Sequence, residues 1–316
     1  LHPVAHSFPT RRSSDLLVSS KSQFGKAPAA DEVRANIDAS LEAMGLDFFD
    51  FYQLWGLSKP EVLEEALRPG GFVAGVRAAQ KEGRIRVGLG FTFHGPPETF
   101  RAAIDSGEFC AATVSYNLLN RKEEEQIAYA GDRGVGIVIM NPLAGGILGL
   151  AGDPELDFLR GGGLGPCYGA LRFLHANPAI STGIVGFRAV EEVDQAVATL
   201  DGAADLDETF RQDLIARMDA VRKMEGDFCT GCGYCKDCPQ GFGPGRLMAV
   251  LRDFTVYRVP AERLREWIFS QYPHQDIVAD LQLCTECGRC QQQCPQHLQI
   301  VEQIRRVKAE LGVKTT

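Results

Sequence analysis

Short apolar runs alternate with helical patterns from Leu17 to about Leu200, which is the signature of βα units laying down a parallel sheet. The runs predict strands at Leu17–Ser20, Phe48–Leu54, Ile85–Thr92, Ala111–Tyr116, Gly134–Met140 and Ile180–Val185. Between the first two, Asp31 is placed to cap a helix that carries Val33, Ile37, Leu41 and Met44 on one face, and Gly45 stands just past its end. A similar pattern spans Glu123 to Gly131, and the last strand feeds a helix with Val190, Val193, Val197 and Leu200 on one side. The units recur at about 30 residues, the spacing of crossover connections.

Six such units suit an open doubly wound sheet, and they suit at least as well a (β/α)8 barrel lacking its first two βα units. No Gly-x-Gly-x-x-Gly turn follows a strand; the glycine-rich stretches Gly145–Gly149 and Gly161–Gly165 have other spacings. Beyond Asp201 the pattern becomes an amphipathic helix with Leu206, Phe210, Leu214, Met218 and Val221. Further helical stretches fall at Leu247–Leu251 and Ala261–Tyr272. A last helix carries Leu298, Val301, Ile304, Val307 and Leu311. The expected organisation is a leader (1–16), a partial α/β barrel (17–222) and a small, mostly helical domain (223–316).

Composition narrows the function. The 316 residues are 45% hydrophobic with a net charge of −8, which disfavours a nucleic-acid binder that must neutralise phosphates. The most apolar stretch, Gly134–Gly152, is broken by Asn141, Pro142 and several glycines, so it reads as a buried strand entering a loop and not as a membrane span. The leader is rich in Arg and Ser, as transit peptides are, but Ser7–Leu16 (SFPTRRSSDL) reads as one translated frame of a short-read sequencing adapter. An artefactual or disordered leader is therefore expected.

Eight of the ten cysteines lie between Cys229 and Cys294, a local concentration that points to metal chemistry in a reducing, cytoplasmic compartment and not to scattered disulfides. Cys110 and Cys167 are expected to be buried small residues. The first run is Cys229-x2-Cys232-x2-Cys235-x2-Cys238-Pro239, and the second is Cys284-x2-Cys287-x2-Cys290-x3-Cys294-Pro295. The second matches the bacterial ferredoxin run, and the first is one residue shorter before its last cysteine. Thiolates three apart on a loop converge while their N–H groups stay free for inorganic sulfide, which suits two 4Fe-4S clusters. The alternative is two structural zinc sites. In two-cluster ferredoxins the fourth cysteine of each run serves the other cluster, but the 45 residues between Cys238 and Cys284 leave that pairing open.

SLEAMGLDFFDFYQLWGL (Ser40–Leu57), IRVGLGFTFHG (Ile85–Gly95), VSYNLLNR (Val114–Arg121), GVGIVIMNPLAGGIL (Gly134–Leu148) and ISTGIVGFRAVEEV (Ile180–Val193) resemble the aldo/keto reductase superfamily. With CTGCGYCKDCPQG (Cys229–Gly241) and CTECGRCQQQCPQHLQI (Cys284–Ile300), they resemble its subgroup that appends a ferredoxin-like domain. The resemblance implies a barrel that binds a nicotinamide cofactor at the C-terminal strand ends and reduces carbonyls with an Asp, a Tyr, a Lys and a His. Lys21 matches the lysine. Trp55 stands at the histidine position, where it offers a stacking surface but no proton near neutral pH. The Asp and Tyr would lie upstream of Leu17, so the chain as it stands is expected to be an inactive fragment.

The resemblance places Thr92, Ser115 and Asn117 near the nicotinamide carboxamide. It places Pro142, Leu143 and Gly145 along the pyrophosphate, and Gly186, Phe187 and Arg188 at the adenosine end. Arg188 favours the 2′-phosphate of NADP over NAD, against which Glu191 and Glu192 replace the family's usual basic partner. His94 matches a histidine of the iron–sulfur subgroup. Substrate (a small carbonyl or alcohol) and a redox protein partner are implied. The competing expectation is a non-catalytic electron-transfer or scaffold protein carrying two 4Fe-4S clusters.

Overall fold

The structure, a computed structural model, describes residues 16–22, 27–149, 154–161, 165, 167–187, 189–201, 207–221, 229, 231–256, 259–272, 274–294 and 296–314. The leader up to residue 15, together with Arg188 and Leu206, lies outside them.

The strands are β1 (Ser19–Lys21), β2 (Phe49–Leu57), β3 (Ile85–Phe93), β4 (Ala111–Ser115), β5 (Gly136–Met140) and β6 (Thr182–Gly183), each overlapping an apolar run read from the sequence. They form one six-stranded sheet in the order β1-β2-β3-β4-β5-β6, and every pair is parallel. A doubly wound sheet reverses its strand order at a switch point. Here sequence order and spatial order coincide, as in an arc of a barrel.

Side chains inside the arc agree: Thr113 Oγ1 on β4 donates to Gln53 Oε1 on β2 at 2.9 Å, and Gln53 Nε2 donates to Ser19 Oγ on β1 at 2.9 Å. Gly90 on β3 admits this layer, since a Cβ there would stand 3.2 Å from Gln53 Cγ. The opposite face of β3 packs Phe91 and Phe93 edge-on against Phe100.

Helices return the chain between strands: α1 (Ala30–Met44), α2 (Pro60–Leu67), α3 (Phe72–Lys81), α4 (Pro97–Asp105), α5 (Glu124–Gly131), α6 (Tyr168–His175) and α7 (Val190–Leu200). In α1 the expected stripe Val33, Ile37 and Leu41 is buried, and Gly45 closes the helix at φ 64°. Asp31 does not cap it. The extended residue is Ala29, so Asp31 and Glu32 fall in the first turn, where carboxylates meet the positive end of the helix dipole.

The stripe of α7 forms as read but is not covered. The helix forms, but Val190, Val193, Val197 and Leu200 remain 72%, 38%, 63% and 37% exposed. Helix α7 flanks β6, the last strand of the arc, and a groove of about 540 Å³ lies beside it, lined among others by Leu171, Leu174, Ile184 and Phe187. Val193, Val197 and Leu200 line that groove facing Leu171, Leu174 and Phe187 without closing on them, so the stripe stays open to solvent.

Helix α8 (Glu208–Val221) lies back on the barrel through Leu214 and Met218. Its Arg211, 8% exposed, reaches Glu124 Oε1 at 2.8 Å and Tyr116 Oη at 3.4 Å. A second, separate core begins at Cys229 and is built by α9 (Pro244–Val256), α10 (Leu264–Gln271), α11 (His274–Leu283), α12 (Arg289–Gln292) and α13 (Ile300–Leu311). Leu298, Ile304, Val307 and Leu311 are buried in it as the sequence pattern requires. Among the described residues no helix is long and apolar enough to cross a membrane.

Candidate functional site

Parallel strands end together, so one rim of the arc collects Lys21, Trp55, Thr92, His94, Ser115, Asn117 and Asn141. Trp55 reaches it through an irregularity. The β2–β3 register shifts between Leu54 and Leu57, and Gly56 adopts φ 83° with its N–H donated to Thr92 Oγ1 at 2.7 Å. Such a bulge re-aims a side chain at the end of a strand. The backbone N–H of Trp55 donates to Ser22 Oγ at 3.1 Å, and Lys21 Nζ lies 4.5 Å over the indole ring, a cation–π contact.

Thr92 and Asn117, expected to face a carboxamide, are 5% and 1% exposed and hold the rim from beneath. Thr92 Oγ1 anchors the bulge. Asn117 Nδ2 donates to the Asn141 carbonyl at 2.9 Å, and its Oδ1 accepts the N–H groups of Leu119 and Asn120. Both are committed to backbone, Thr92 to the bulge of β2 and Asn117 to the turn after β4. Among the described residues of the rim, the buried polar atoms without a partner are Ser115 Oγ, His94 Nε2 and Asn141 Nδ2, a set that fits a polar ligand at the mouth. Burial pushes His94 down to about 4, with His297 adding to the effect, so its ring is neutral near pH 7.

After β5, Pro142 is buried, Leu143 is half-buried, and Gly145 and Gly146 are exposed at φ 69° and 97°. The N–H of Gly145 donates to Asn141 Oδ1 at 2.7 Å and that of Gly146 to the Leu143 carbonyl at 2.9 Å. This loop therefore offers close approach, with open space where a Gly146 Cβ would stand, and no spare donors at these two amides. Gly186 and Phe187 are exposed at the far end of the rim, and Arg188 lies outside the described residues.

The cysteine runs fold as two copies of one loop. Gly231 and Gly233 sit at φ 73° and 77°. The matching positions of the second run are Glu286 at 57° and Gly288 at 76°, and Gly241 at 74° pairs with His297 at 53°. A cavity of about 130 Å³ is lined by Cys229, Cys232, Cys235 and Cys294, with Met248, Leu298 and Ile300 around them. The structure thus brings the last cysteine of the second run to the first three of the first run, which we call the proximal set.

Burial pushes the Cys229, Cys235 and Cys294 thiols up, Cys235 to about 11, with neighbouring thiols adding to each. The other four form a distal set: burial raises Cys290, and Cys284, Cys238 and Cys287 push the same way. Among the described residues no three His, Cys, Asp or Glu side chains close around a single ion. Four thiols spread around a void leave room for a 4Fe-4S cluster held by one sulfur to each iron. At Gly245 a Cβ would stand 3.3 Å from Cys235 Sγ, and the Gly231 N–H donates to Cys229 Sγ at 3.3 Å.

Cys110 and Cys167 stand apart from both sets, exposed and half-buried and not fully buried as expected.

The proximal loops are seated on the rim. Tyr234, on the turn 234–236 between Cys232 and Cys235, accepts the Trp55 indole N–H at 3.1 Å and meets the His94 ring edge-on at 5.3 Å. Asn120 Nδ2 donates to Gln296 Oε1 at 3.0 Å, and Gln296 lines the proximal cavity. Sequence reasoning passed over Tyr234, Asn120 and Gln296. Nothing in a spacer residue between two cysteines announces a contact 179 positions away.

A parallel arc with its polar rim at the C-terminal strand ends, joined to a double cysteine-loop domain, defines a partial α/β barrel with an appended cysteine-rich module. Comparison with known proteins assigns the two parts: residues 8–162 match the Aldo/keto reductase family, and residues 225–298 match the 4Fe-4S dicluster domain. The chain carries an aldo/keto reductase domain followed by a 4Fe-4S dicluster domain. It is 25% identical over 213 residues to the L-galactose dehydrogenase of Arabidopsis thaliana, covering 59% of this chain and 64% of that protein's length. The aldo-keto reductase AKR11C1 from Bacillus halodurans, in holo and apo forms, superposes with TM-scores of 0.55 and 0.54 at 20% identity. In both cases 67% of this chain and 74% of that chain are covered.

Proposed function

We propose that the chain is an oxidoreductase of a small carbonyl or alcohol, using a nicotinamide nucleotide at the strand mouth and two 4Fe-4S clusters, and exchanging electrons with a redox protein partner. When bound, nicotinamide supplies a hydride and each cluster carries one electron. Cys229, Cys232, Cys235 and Cys294 would hold the proximal cluster and Cys238, Cys284, Cys287 and Cys290 the distal one.

At the mouth, Trp55 is a flat wall for an aromatic ring, and Ser115, His94 and Asn141 offer unused polar atoms to its substituents. Lys21 supplies positive charge beside them. Pro142, Leu143 and Gly145 form the loop along which a pyrophosphate would lie, and Gly186, Phe187 and Arg188 the adenosine end. Arg188 favours NADP, since a guanidinium binds phosphate oxygens bidentately.

The observation that carries this reading is the seating of the proximal loops on the rim through Tyr234 and Trp55. It puts the metal module at the place where the barrel would do chemistry. The test is anaerobic reconstitution of the full chain with iron and sulfide, followed by nucleotide-binding isotherms and NADPH or NADH consumption with a panel of small carbonyls. Brown protein that binds and consumes the nucleotide supports the proposal; brown protein that binds none refutes its nicotinamide half. That second outcome is the electron-transfer scaffold, which Trp55 favours because an indole neither takes up nor gives up a proton as an acid or base near neutral pH. Arg188→Ala should remove any preference for NADP over NAD.

A further inference from the structure

Tyr234 has no part in the apolar core of its own domain, yet its phenol is held on two sides by the other domain. Trp55 is in turn fixed by Ser22 through its backbone and by Lys21 over its ring. Asn120 makes the second tie, to Gln296 on the wall of the same cavity. Three rim side chains, Trp55 and His94 at the ends of β2 and β3 and Asn120 on the turn after β4, thus grip the two loops that deliver Cys232, Cys235 and Cys294.

We infer that Tyr234 is a positioning residue that makes the proximal cysteine centre and the mouth of the strands one thermodynamic unit. An electron on the proximal cluster and an aromatic nicotinamide ring at Trp55 each change the free energy of the other. The inference rests on the reading that a nucleotide binds at the mouth and a 4Fe-4S cluster fills the cavity. Hydrogen bonds near the ligating sulfurs and exclusion of solvent set a cluster's reduction potential. The residue after Tyr234 is Cys235, so whatever orders or loosens the phenol acts on a ligating thiolate through one peptide unit. A ring laid on Trp55 competes with Lys21 for the indole face and so acts on the ring whose N–H Tyr234 accepts. Linkage makes the effect reciprocal, so the oxidised and reduced proteins bind nucleotide with different affinities.

The test is an EPR-monitored redox titration of the reconstituted full chain, in which dithionite supplies one electron to each cluster. Wild type, Tyr234→Phe, Trp55→Phe and the double variant are compared, each first shown by its visible spectrum to hold both clusters. Both single variants should move the same one of the two midpoints, and the double variant should move it no further than the larger single shift. Saturating NADP should move that midpoint in wild type by about 59 mV if affinity changes tenfold between oxidation states. Midpoints unmoved by either substitution, shifts that add, or NADP bound without any shift would each overturn the inference. Failure of NADP and NAD to bind would instead strike the nicotinamide reading, while the variant cycle still decides whether Tyr234 couples the two sites.

Discussion

The pairing of the cysteines gives the sharpest prediction, because sequence spacing left it open and the structure assigns it. Cys294 lines the proximal cavity with Cys229, Cys232 and Cys235, and Cys238 joins the other three. A Cys→Ser substitution should therefore empty one site without touching the other. The double variant Cys232→Ser/Cys294→Ser falls within one set and should still carry one cluster. Cys232→Ser/Cys238→Ser falls across both sets and should carry none. Emptying the proximal site also leaves a void of about 130 Å³ among Met248, Leu298 and Ile300. At about 24 cal/mol per Å³ the void alone costs about 3 kcal/mol, and the lost metal–thiolate bonds add to that figure. Iron and sulfide content, with the EPR signal of the reduced protein, reads the first claim. Denaturant unfolding of the single-site variants reads the second. If the Cys232/Cys294 pair loses both clusters while Cys232/Cys238 keeps one, the assignment is wrong and each run holds its own cluster.

Other substitutions test the packing and charge described above. Gly75→Ala in α3 would put a Cβ 2.8 Å from both the Ala30 carbonyl and Val33 Cβ, so it should cost about 1–3 kcal/mol in a chemical denaturation curve. Arg211→Met removes the charge-assisted bonds to Glu124 and Glu208 and should cost about 2–3 kcal/mol, the upper part only if Tyr116 loses its order too. His94 has a folded pKa of about 4, below its unfolded 6.5, so the unfolded chain binds the extra proton and stability falls as pH drops below 6.5. Between pH 7.5 and 5.5 the loss should be about 1.4 kcal/mol in wild type and absent in His94→Asn, measured by paired unfolding curves. His297→Gly replaces a side chain held at φ 53° and should raise the melting free energy by about 1 kcal/mol; a loss would show that the imidazole makes contacts outweighing the strain.

How much was readable in advance depended on the range of the interaction. Strands and crossover helices are written locally, in runs such as Ile85–Phe93, and all six strands lie where their apolar runs put them. Both αL glycines of the first cysteine run are equally local, but Glu286 and His297 adopt the same backbone with side chains that do not advertise it. The choice of a barrel arc over a doubly wound sheet needed strand order, which no single segment encodes. The Trp55 bulge had a signal in Gly56, although a glycine in a strand marks a close approach as often as a bulge. The backbone ties of Thr92 and Asn117 were not legible, because a family position says nothing about which backbone amides a side chain must satisfy. Tyr234 was invisible because its partners are remote in sequence, and the exposure of the α7 stripe was not legible because periodicity reports amphipathicity and not what lies opposite.

The short outer strands and the bare stripe of α7 divide the hazards of self-association unequally. The terminal strands β1 and β6 span three and two residues, so each presents few backbone rungs on which a stray chain could build a ladder. Helix α7 offers the opposite, a run of valines beside a wide groove. Sticky encounters between molecules should begin on that helix and not at the sheet margins, which makes Val190 and Val197 the places where a lysine or glutamate would most improve solubility.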